Sequence, residues 1–426
     1  MFERVGQSLT AFVDICPSFY PYWCMPVTIN PGAVQLDFDN TELAFRYKTD
    51  SQLWRSVLLF QSFNIPVLVK YGPVAARWAL QSGLPVKGLM REWFFKQFCG
   101  GHTLDETVPL SELLARYGVK TALDYGVEAR KSDEGFDNCR DEVLRMLNHG
   151  ARHPEQVSHV ALKVTGLCNA DVLERMQAGG QNSMLQKQYD KLVGRLEAIC
   201  QRAQATGIPV LIDAEESWMQ EPIDRLAESL MARYNQSRAV VHTTVQLYRN
   251  DRPAYTAGLY ERAKAGGWIA GVKLVRGAYI EKETLRAREK GYPNPLFPNK
   301  AAVDAAFDDT ARFCLERLEQ FSIFAGTHNE ASCRKIADWM VQNGLDTHHP
   351  HVYFSQLYGM SDNLSFNLAG AGFNVAKYLP YGPLEEVLPY LFRRAQENSS
   401  IQGQSSRELT LLQREYKRRK CNRRNA

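Results

Sequence analysis

From residue 120 onward the chain alternates between short runs of β-branched and aliphatic residues and longer stretches whose apolar positions recur every three to four residues. Eight such runs occur, at 121–127, 159–165, 209–213, 239–246, 269–275, 322–327, 352–355 and 373–379. Their length suits strands, and the stretches between them suit helices. Between the second and third runs, Leu185, Tyr189, Leu192, Leu196 and Ile199 recur at helical spacing over 184–205, and Gly207 follows where a helix C-terminus favours glycine. Eight strand and helix alternations predict an α/β fold, a parallel sheet closed into a (β/α)8 (TIM) barrel. Residues 42–117 read as largely helical and precede the barrel. The expected layout is an N-terminal extension over 1–40, a helical arm or cap over 41–118, a barrel over 119–403 and a helical basic tail over 404–426.

Composition narrows the class without naming it. The chain has 426 residues, 45% hydrophobic and 23% charged, which is ordinary for a globular protein with one large core. No apolar run reaches the roughly 18 residues of a spanning helix. Glu3, Arg4 and Pro17 fit neither a secretory signal nor an arginine-rich, acid-poor transit peptide. The nine cysteines form no C-x-x-C pair, so reduced thiols are expected and zinc is not.

The net charge is +4, and much of the excess lies in Arg414, Lys417, Arg418, Arg419, Lys420, Arg423 and Arg424. Such a run ordinarily marks a solvated, disordered tail. Contact with anionic lipid is the functional alternative. Nucleic acid is not expected, since no basic stripe interleaved with aromatics appears elsewhere.

Polar residues gather at the carboxyl ends of the predicted strands, where this fold builds its sites. The first strand offers Asp124 and Glu128, the second Lys163, the third Asp213, Glu215 and Glu216, and the fourth Gln246. The fifth carries Lys273-Leu-Val-Arg276-Gly-Ala-Tyr279, the sixth Thr327-His328-Asn329, and the eighth Tyr378. Singly, each has a bland reading: Lys163 as a snorkelling surface residue, His328 as a satisfied core histidine, Gln246 as a strand-end cap. Repetition on seven strands favours a site.

A second cluster follows Tyr378-Leu-Pro-Tyr381-Gly382. In Pro389-Tyr390-Leu-Phe-Arg393-Arg394-Ala-Gln-Glu397-Asn398, the residues Tyr390, Arg393, Arg394 and Glu397 share one helical face. Adjacent guanidiniums repel, and a fixed anion offsets that repulsion. The pair reads as a clamp for a small carboxylate.

Together the Val272-to-Tyr279 pattern, Asp213-Ala-Glu-Glu216, Thr327-His-Asn329 and the closing Pro-Tyr-Leu-x-Arg-Arg-x-x-Glu-Asn motif resemble the proline dehydrogenases, over roughly residues 40–415. The stretch from Ser399 to Glu408-Leu-x-Leu-Leu resembles the stand-alone, mitochondrial-type branch. The resemblance implies a distorted barrel that binds FAD without a Rossmann unit, and no G-x-G-x-x-G follows a strand here.

It also implies roles. Arg393, Arg394 and Lys163 would bind the carboxylate of L-proline, and Tyr378, Tyr390, Tyr279 and Leu274 would wall its ring. Asp213 would hold the site's cations and hydroxyls, and Glu128 would pair with Arg393 as a gate. Gln246, Lys273, Val275, Arg276, Gly277, Thr327, His328 and Glu397 would contact FAD, with Lys273 and Arg276 balancing the charge of reduced flavin and pyrophosphate. Ile280 stands where some relatives carry tryptophan.

The implied reaction is oxidation of L-proline to 1-pyrroline-5-carboxylate, with hydride passing to flavin N5 and electrons passing on to a membrane quinone. Competing readings are hydroxyproline dehydrogenase, which the bulk of Tyr378 disfavours, a folate-reductase-type flavin barrel, and a non-catalytic flavin-barrel binding protein. The expected location is cytoplasmic and peripheral at the inner membrane for a bacterium, or the mitochondrial matrix and inner membrane for a eukaryote.

Overall fold

The computed structural model describes residues 36–63, 65, 88, 91–126, 132–180, 182–387 and 404–425. Glu128, Tyr390, Arg393, Arg394 and Glu397 lie outside the described residues.

Helices α1 (Thr41–Phe45) and α2 (Asp50–Phe63) come first. A π-helical stretch, Arg91–Phe95, then runs into a short turn, Lys96–Phe98, before α3 (Leu104–Ala115). The barrel follows as β1 (Val119–Tyr125), α4 (Asp133–Arg152), β2 (Val157–Lys163), α5 (Ala170–Gln177), α6 (Ser183–Thr206), β3 (Val210–Asp213), α7 (Ser217–Tyr234) and β4 (Val241–Gln246). It continues through α8 (Arg252–Gly266), β5 (Ala270–Val275), α9 (Ile280–Lys290), α10 (Lys300–Leu315), β6 (Phe321–Gly326), α11 (Glu330–Gln342), β7 (Val352–Leu357), α12 (Asp362–Gly370) and β8 (Val375–Tyr381). Helix α13 (Gln404–Asn425) is the last.

The eight strands are parallel and closed, with β8 on β1 from Val119 opposite Val375 to Tyr125 opposite Tyr381. All eight predicted runs are strands, but their ends move. Strand β1 begins two residues early and β8 ends two residues late, because pairing across the closure, which periodicity does not report, sets those ends. Thr165 leaves β2 for a 3-10 turn, Val164–Gly166. Helix α6 ends as its spacing predicts, with Gly207 at φ 77° accepting the left-handed turn.

Side chains of alternate strand residues fill the barrel in layers. At the amino-terminal end, the His159 ring lies 4.7 Å from Phe324, 4.9 Å from Tyr353 and 5.6 Å from His242. Burial drives His159 well below the usual imidazole range and His242 down to about 3, so both rings are neutral. The next layer combines Ala122, Ala161, Leu211 and Ala376 with Phe324 and Tyr378. Three alanines make room there for two large rings.

The basic tail is a packed helix. Leu411 and Leu412 of α13 join a buried cluster with Phe45, Leu53, Phe60 and Phe98. Arg419 donates to Glu415 at 2.7 Å, to Asp50 at 2.9 Å, and to the Lys48 and Phe45 carbonyls at 2.8 Å each. The fully buried Glu415 also accepts from Arg418 and Thr41. The expectation of a disordered tail is thereby overturned: much of its charge is matched by acids of α1, α2 and α13 itself. Lys417, Lys420, Arg423 and Arg424 stay exposed. Among the described residues no helix is long and apolar enough to cross a membrane.

Candidate active site

The carboxyl-terminal mouth of the barrel is organised around Asp213, the last residue of the short strand β3. Its Oδ1 accepts from Lys273 Nζ at 2.6 Å and its Oδ2 from the Tyr378 hydroxyl at 2.9 Å. Lys273 Nζ also sits 4.5 Å from the centre of the Tyr378 ring, within cation–π range. All three groups are buried, so one carboxylate holds an ammonium and a phenol in fixed relation with little competition from water. Lys163 ends β2 directly opposite Asp213 in the β2–β3 register. Three strands far apart in sequence thus bring two ammonium groups and a phenol to one place.

Glu215 lies in the loop after β3. Its Oε1 accepts from the Thr165 hydroxyl at 2.7 Å and more weakly from the Thr165 amide at 3.3 Å. Burial raises its carboxyl to about 7, against the opposing pull of Lys163 and the Thr165 bonds. The loop is braced by Gln220, whose Oε1 accepts from the Glu215 amide at 2.8 Å and whose Nε2 donates to Asp224 at 2.8 Å. Glu283 of α9 bonds the Ser217 amide and hydroxyl at 2.6 and 2.5 Å, and Lys282 bonds Glu216 at 2.6 Å. These contacts tie the loop carrying Tyr279 to the start of α7.

The β5 side is equally constrained. Arg276 donates to Asp304 at 2.7 Å, to the Thr327 hydroxyl at 2.7 Å and to Ser332 at 2.9 Å, while its guanidinium lies 4.4 Å from the Phe307 ring centre. Gly277 follows at φ 118°, where an added Cβ would come within 2.4 Å of the Tyr248 ring. Only glycine fits there without displacement. Backbone bonds from the Leu247 amide to the Val275 carbonyl (2.8 Å) and from Tyr248 to Arg276 (2.6 Å) join the ends of β4 and β5.

The sequence-derived residues fall into groups. Lys163, Asp213, Lys273 and Tyr378 converge at the mouth. Lys273, expected from the resemblance to face the cofactor's charge, bonds Asp213. Tyr279 caps α9 in the adjacent loop, half-buried, with Lys282 Nζ 5.3 Å from its ring centre. Leu274 has no exposed surface, and strand alternation sets it on the face opposite Lys273, away from the side on which the resemblance placed it. Gln246, Val275, Arg276, Gly277, Thr327 and His328 line the arc from β4 to β6. Sequence reasoning missed Thr165, Asp304, Ser332 and Ser361. No local spacing marks them, because each acts through a partner dozens of residues away.

The arc has the features a flavin would need. Gln246 Oε1 is buried with no hydrogen-bond partner, a situation that a ligand N–H would relieve. The positive charge of Arg276 lies next to Thr327 on the same arc. The residues present fit the group.

Residues 109–407 match the family model described as Proline dehydrogenase. Proline dehydrogenase 1, mitochondrial, from Dictyostelium discoideum is 29% identical over 92% of this chain and 76% of that protein. The carbapenem antibiotics biosynthesis protein CarD of Pectobacterium carotovorum is 31% identical over 76% of this chain and 83% of its own length. Proline utilization A from Bdellovibrio bacteriovorus, solved after inactivation by N-propargylglycine, superposes with a TM-score of 0.67 at 21% identity. That likeness covers 86% of this chain but 38% of the larger protein, and it is one of fold. The family match runs from the helix before β1 into the C-terminal helix and takes in every barrel strand, and the chain therefore belongs to the proline dehydrogenase family.

Proposed function

We propose that this enzyme oxidises L-proline to 1-pyrroline-5-carboxylate with bound FAD and passes the electrons to a membrane quinone. The observation that carries this reading is the Asp213 carboxylate shared by Lys273 and Tyr378, with Lys163 adjacent. A small amino acid with one carboxylate and an apolar ring matches a pocket of cations and aromatic faces.

Lys163 attracts the substrate carboxylate, and Arg393 and Arg394 complete the proposed clamp. Tyr378, fixed by Asp213, forms a rigid wall against the ring, with Tyr279 and Tyr390 as the further walls. Glu128 is proposed to close the clamp by pairing with Arg393. Gln246, Val275, Arg276, Gly277, Thr327, His328 and Glu397 would hold FAD, with Lys273 between cofactor and substrate. When bound, FAD supplies the acceptor for a hydride from the ring carbon beside nitrogen. That C–H bond breaks with its electron pair, the nitrogen gives up a proton and a C=N bond forms. Glu215, its carboxyl raised to about 7 next to Lys163, can hold a proton on the oxygen that Thr165 does not engage, on that side of the mouth. Orientation supplies much of the acceleration, because the reacting carbon must be fixed over the cofactor.

The mitochondrial relatives support a place at the mitochondrial inner membrane, or at the cytoplasmic face in a bacterium. The exposed cations of α13 are suited to anionic lipid there. The deciding experiment is an anaerobic absorbance titration of the purified protein with L-proline, run beside trans-4-hydroxy-L-proline. Bleaching of the flavin band at much lower proline concentration supports the reading. Preference for hydroxyproline replaces the substrate, and a full chain that binds no FAD overturns the cofactor.

A further inference from the structure

Behind the mouth, between β8, α12 and α13, lies a buried polar cluster that the reaction does not use. Lys377 of β8, with no exposed surface, donates to the Met360 carbonyl at 2.6 Å and pairs with Asp362 at 2.9 Å. Asp362 also accepts from Tyr47 at 2.8 Å and faces Lys48 at 3.5 Å. The cluster holds the loop after β7 from outside the barrel. Within that loop, Ser361 has φ 50° and ψ 44°, the only non-glycine residue at positive φ among those described. An L-residue in that region costs about 1–2 kcal/mol, and such strain persists only where the surroundings enforce it.

Two groups enforce it. The buried Glu408 carboxylate of α13 accepts the Ser361 amide at 2.9 Å, and the Ser361 carbonyl accepts the Leu364 amide at 3.1 Å. The conformation aims the Ser361 hydroxyl into the barrel mouth, 2.9 Å from His328 Nδ1. The Leu357 amide donates to His328 Nε2 at 3.4 Å, which makes Nδ1 the protonated nitrogen that donates to Ser361. With both nitrogens engaged, the orientation of the His328 ring is fixed.

We infer that Glu408 and Ser361 are positioning residues for His328, through which the C-terminal helix sets one wall of the cofactor site. A glycine would take the backbone conformation at 361 without strain, but it would lack the hydroxyl that fixes the ring. The inference rests on the proposed contact of His328 with FAD.

The test is the affinity of the full-length protein for FAD, read from flavin fluorescence after dilution of the holoprotein, together with the visible circular dichroism of the bound flavin. His328→Ala is expected to raise the FAD dissociation constant about tenfold, and Ser361→Ala about three- to tenfold with an altered flavin spectrum. The double variant should bind within about twofold of His328→Ala, because the two residues act as one unit. Glu408→Ala should weaken FAD as Ser361→Ala does, and Glu408→Gln, which keeps an oxygen for the Ser361 amide, should restore affinity to within about twofold. Ser361→Gly should raise thermal stability yet bind FAD as weakly as Ser361→Ala, a split that a merely structural residue would not produce.

Wild-type FAD affinity in Ser361→Ala, with His328→Ala weakened, overturns the inference while leaving the cofactor role of His328 standing. Wild-type affinity in His328→Ala overturns that role and the inference together. Ser361→Ala removes the hydroxyl from His328 but leaves the amide bond to Glu408 in place, so it decides the matter even if Glu408→Ala fails to fold.

Discussion

Tyr378 and Asp213, 165 residues apart, meet at 2.9 Å across the barrel mouth, and the same carboxylate holds Lys273 at 2.6 Å. The phenol is thus a fixed wall, and its removal leaves one carboxylate oxygen without a donor in a buried site. Tyr378→Phe should lower kcat/KM for proline about tenfold or more, the equivalent of roughly 1–3 kcal/mol for a buried acceptor left unsatisfied. Steady-state kinetics with proline and trans-4-hydroxy-L-proline would check this. Unchanged kcat/KM for proline would mean the phenol does not shape the substrate site.

Asp213→Ala should be more severe, because it strands the buried Lys273 ammonium. Losing one partner of a buried pair costs about 3–5 kcal/mol. A drop of several degrees in Tm alongside loss of activity is expected, and Asp213→Asn should recover part of the Tm without recovering the activity. Equal Tm in Asp213→Ala and wild type would remove the pairing as a stabilising contact.

Gly277→Ala introduces a Cβ within 2.4 Å of the Tyr248 ring at a φ of 118°. Both strain and clash oppose it, and a loss of at least about 2 kcal/mol is expected. Thermal melts of Gly277→Ala, and of the same change combined with Tyr248→Ala, separate the two effects. The second variant should regain the part due to the clash and keep the part due to φ.

The neutral histidines of the barrel floor make stability depend on pH. Burial lowers His242 from 6.5 to about 3 in the folded chain, so the unfolded chain takes up protons that the folded chain refuses. This stabilisation is complete above about pH 6.5 and is lost as the pH falls through that window. Glu215 has the opposite sign: raised to about 7, its contribution is present below about pH 4.5 and is lost as the pH rises toward 7. The two trends oppose each other in the whole protein, so a difference measurement is needed. The stability gap between wild type and His242→Asn should narrow by about 1.4 kcal/mol for each pH unit below 6.5. A pH-independent gap in urea titrations would show that His242 is not held neutral by folding.

Arg419 joins α13 to the amino-terminal helices through Glu415, Asp50 and two carbonyls. Arg419→Ala should lower stability by about 2–4 kcal/mol, whereas Arg424→Ala, an exposed cation, should change it by less than about 0.5 kcal/mol. If vesicles carrying anionic lipid bind the protein through its exposed cations, Arg424→Ala should weaken that binding and leave Tm alone. The reverse pattern would assign the tail a purely structural role.

Much of this molecule was legible before any coordinates. Strand β3 reads as a strand from Val210, Leu211 and Ile212, and Asp213 reads as its polar end, because strand length and the switch to polar residues are properties of adjacent positions. The same holds for α6 and Gly207. The role of Ser361 was not legible: Ser361-Asp362 ahead of an apolar stretch resembles an ordinary helix start, and nothing nearby points to His328 or Glu408. The charge of α13 misled for the same reason. Seven cations in thirteen residues look solvated until Asp50 and Glu42, more than 300 positions earlier, come alongside.

The order of strands and helices and the residues at each strand end are written in the chain locally, since periodicity and turn chemistry act over a few residues. The pairs that give those residues a function, Asp213 with Tyr378 and Lys273, Arg276 with Asp304, and Glu408 with Ser361, arise when β8 closes on β1 and α13 docks behind them. Closure of the barrel joins residues across the whole chain length, and the burial it creates is what holds Glu215 near neutrality and His242 uncharged.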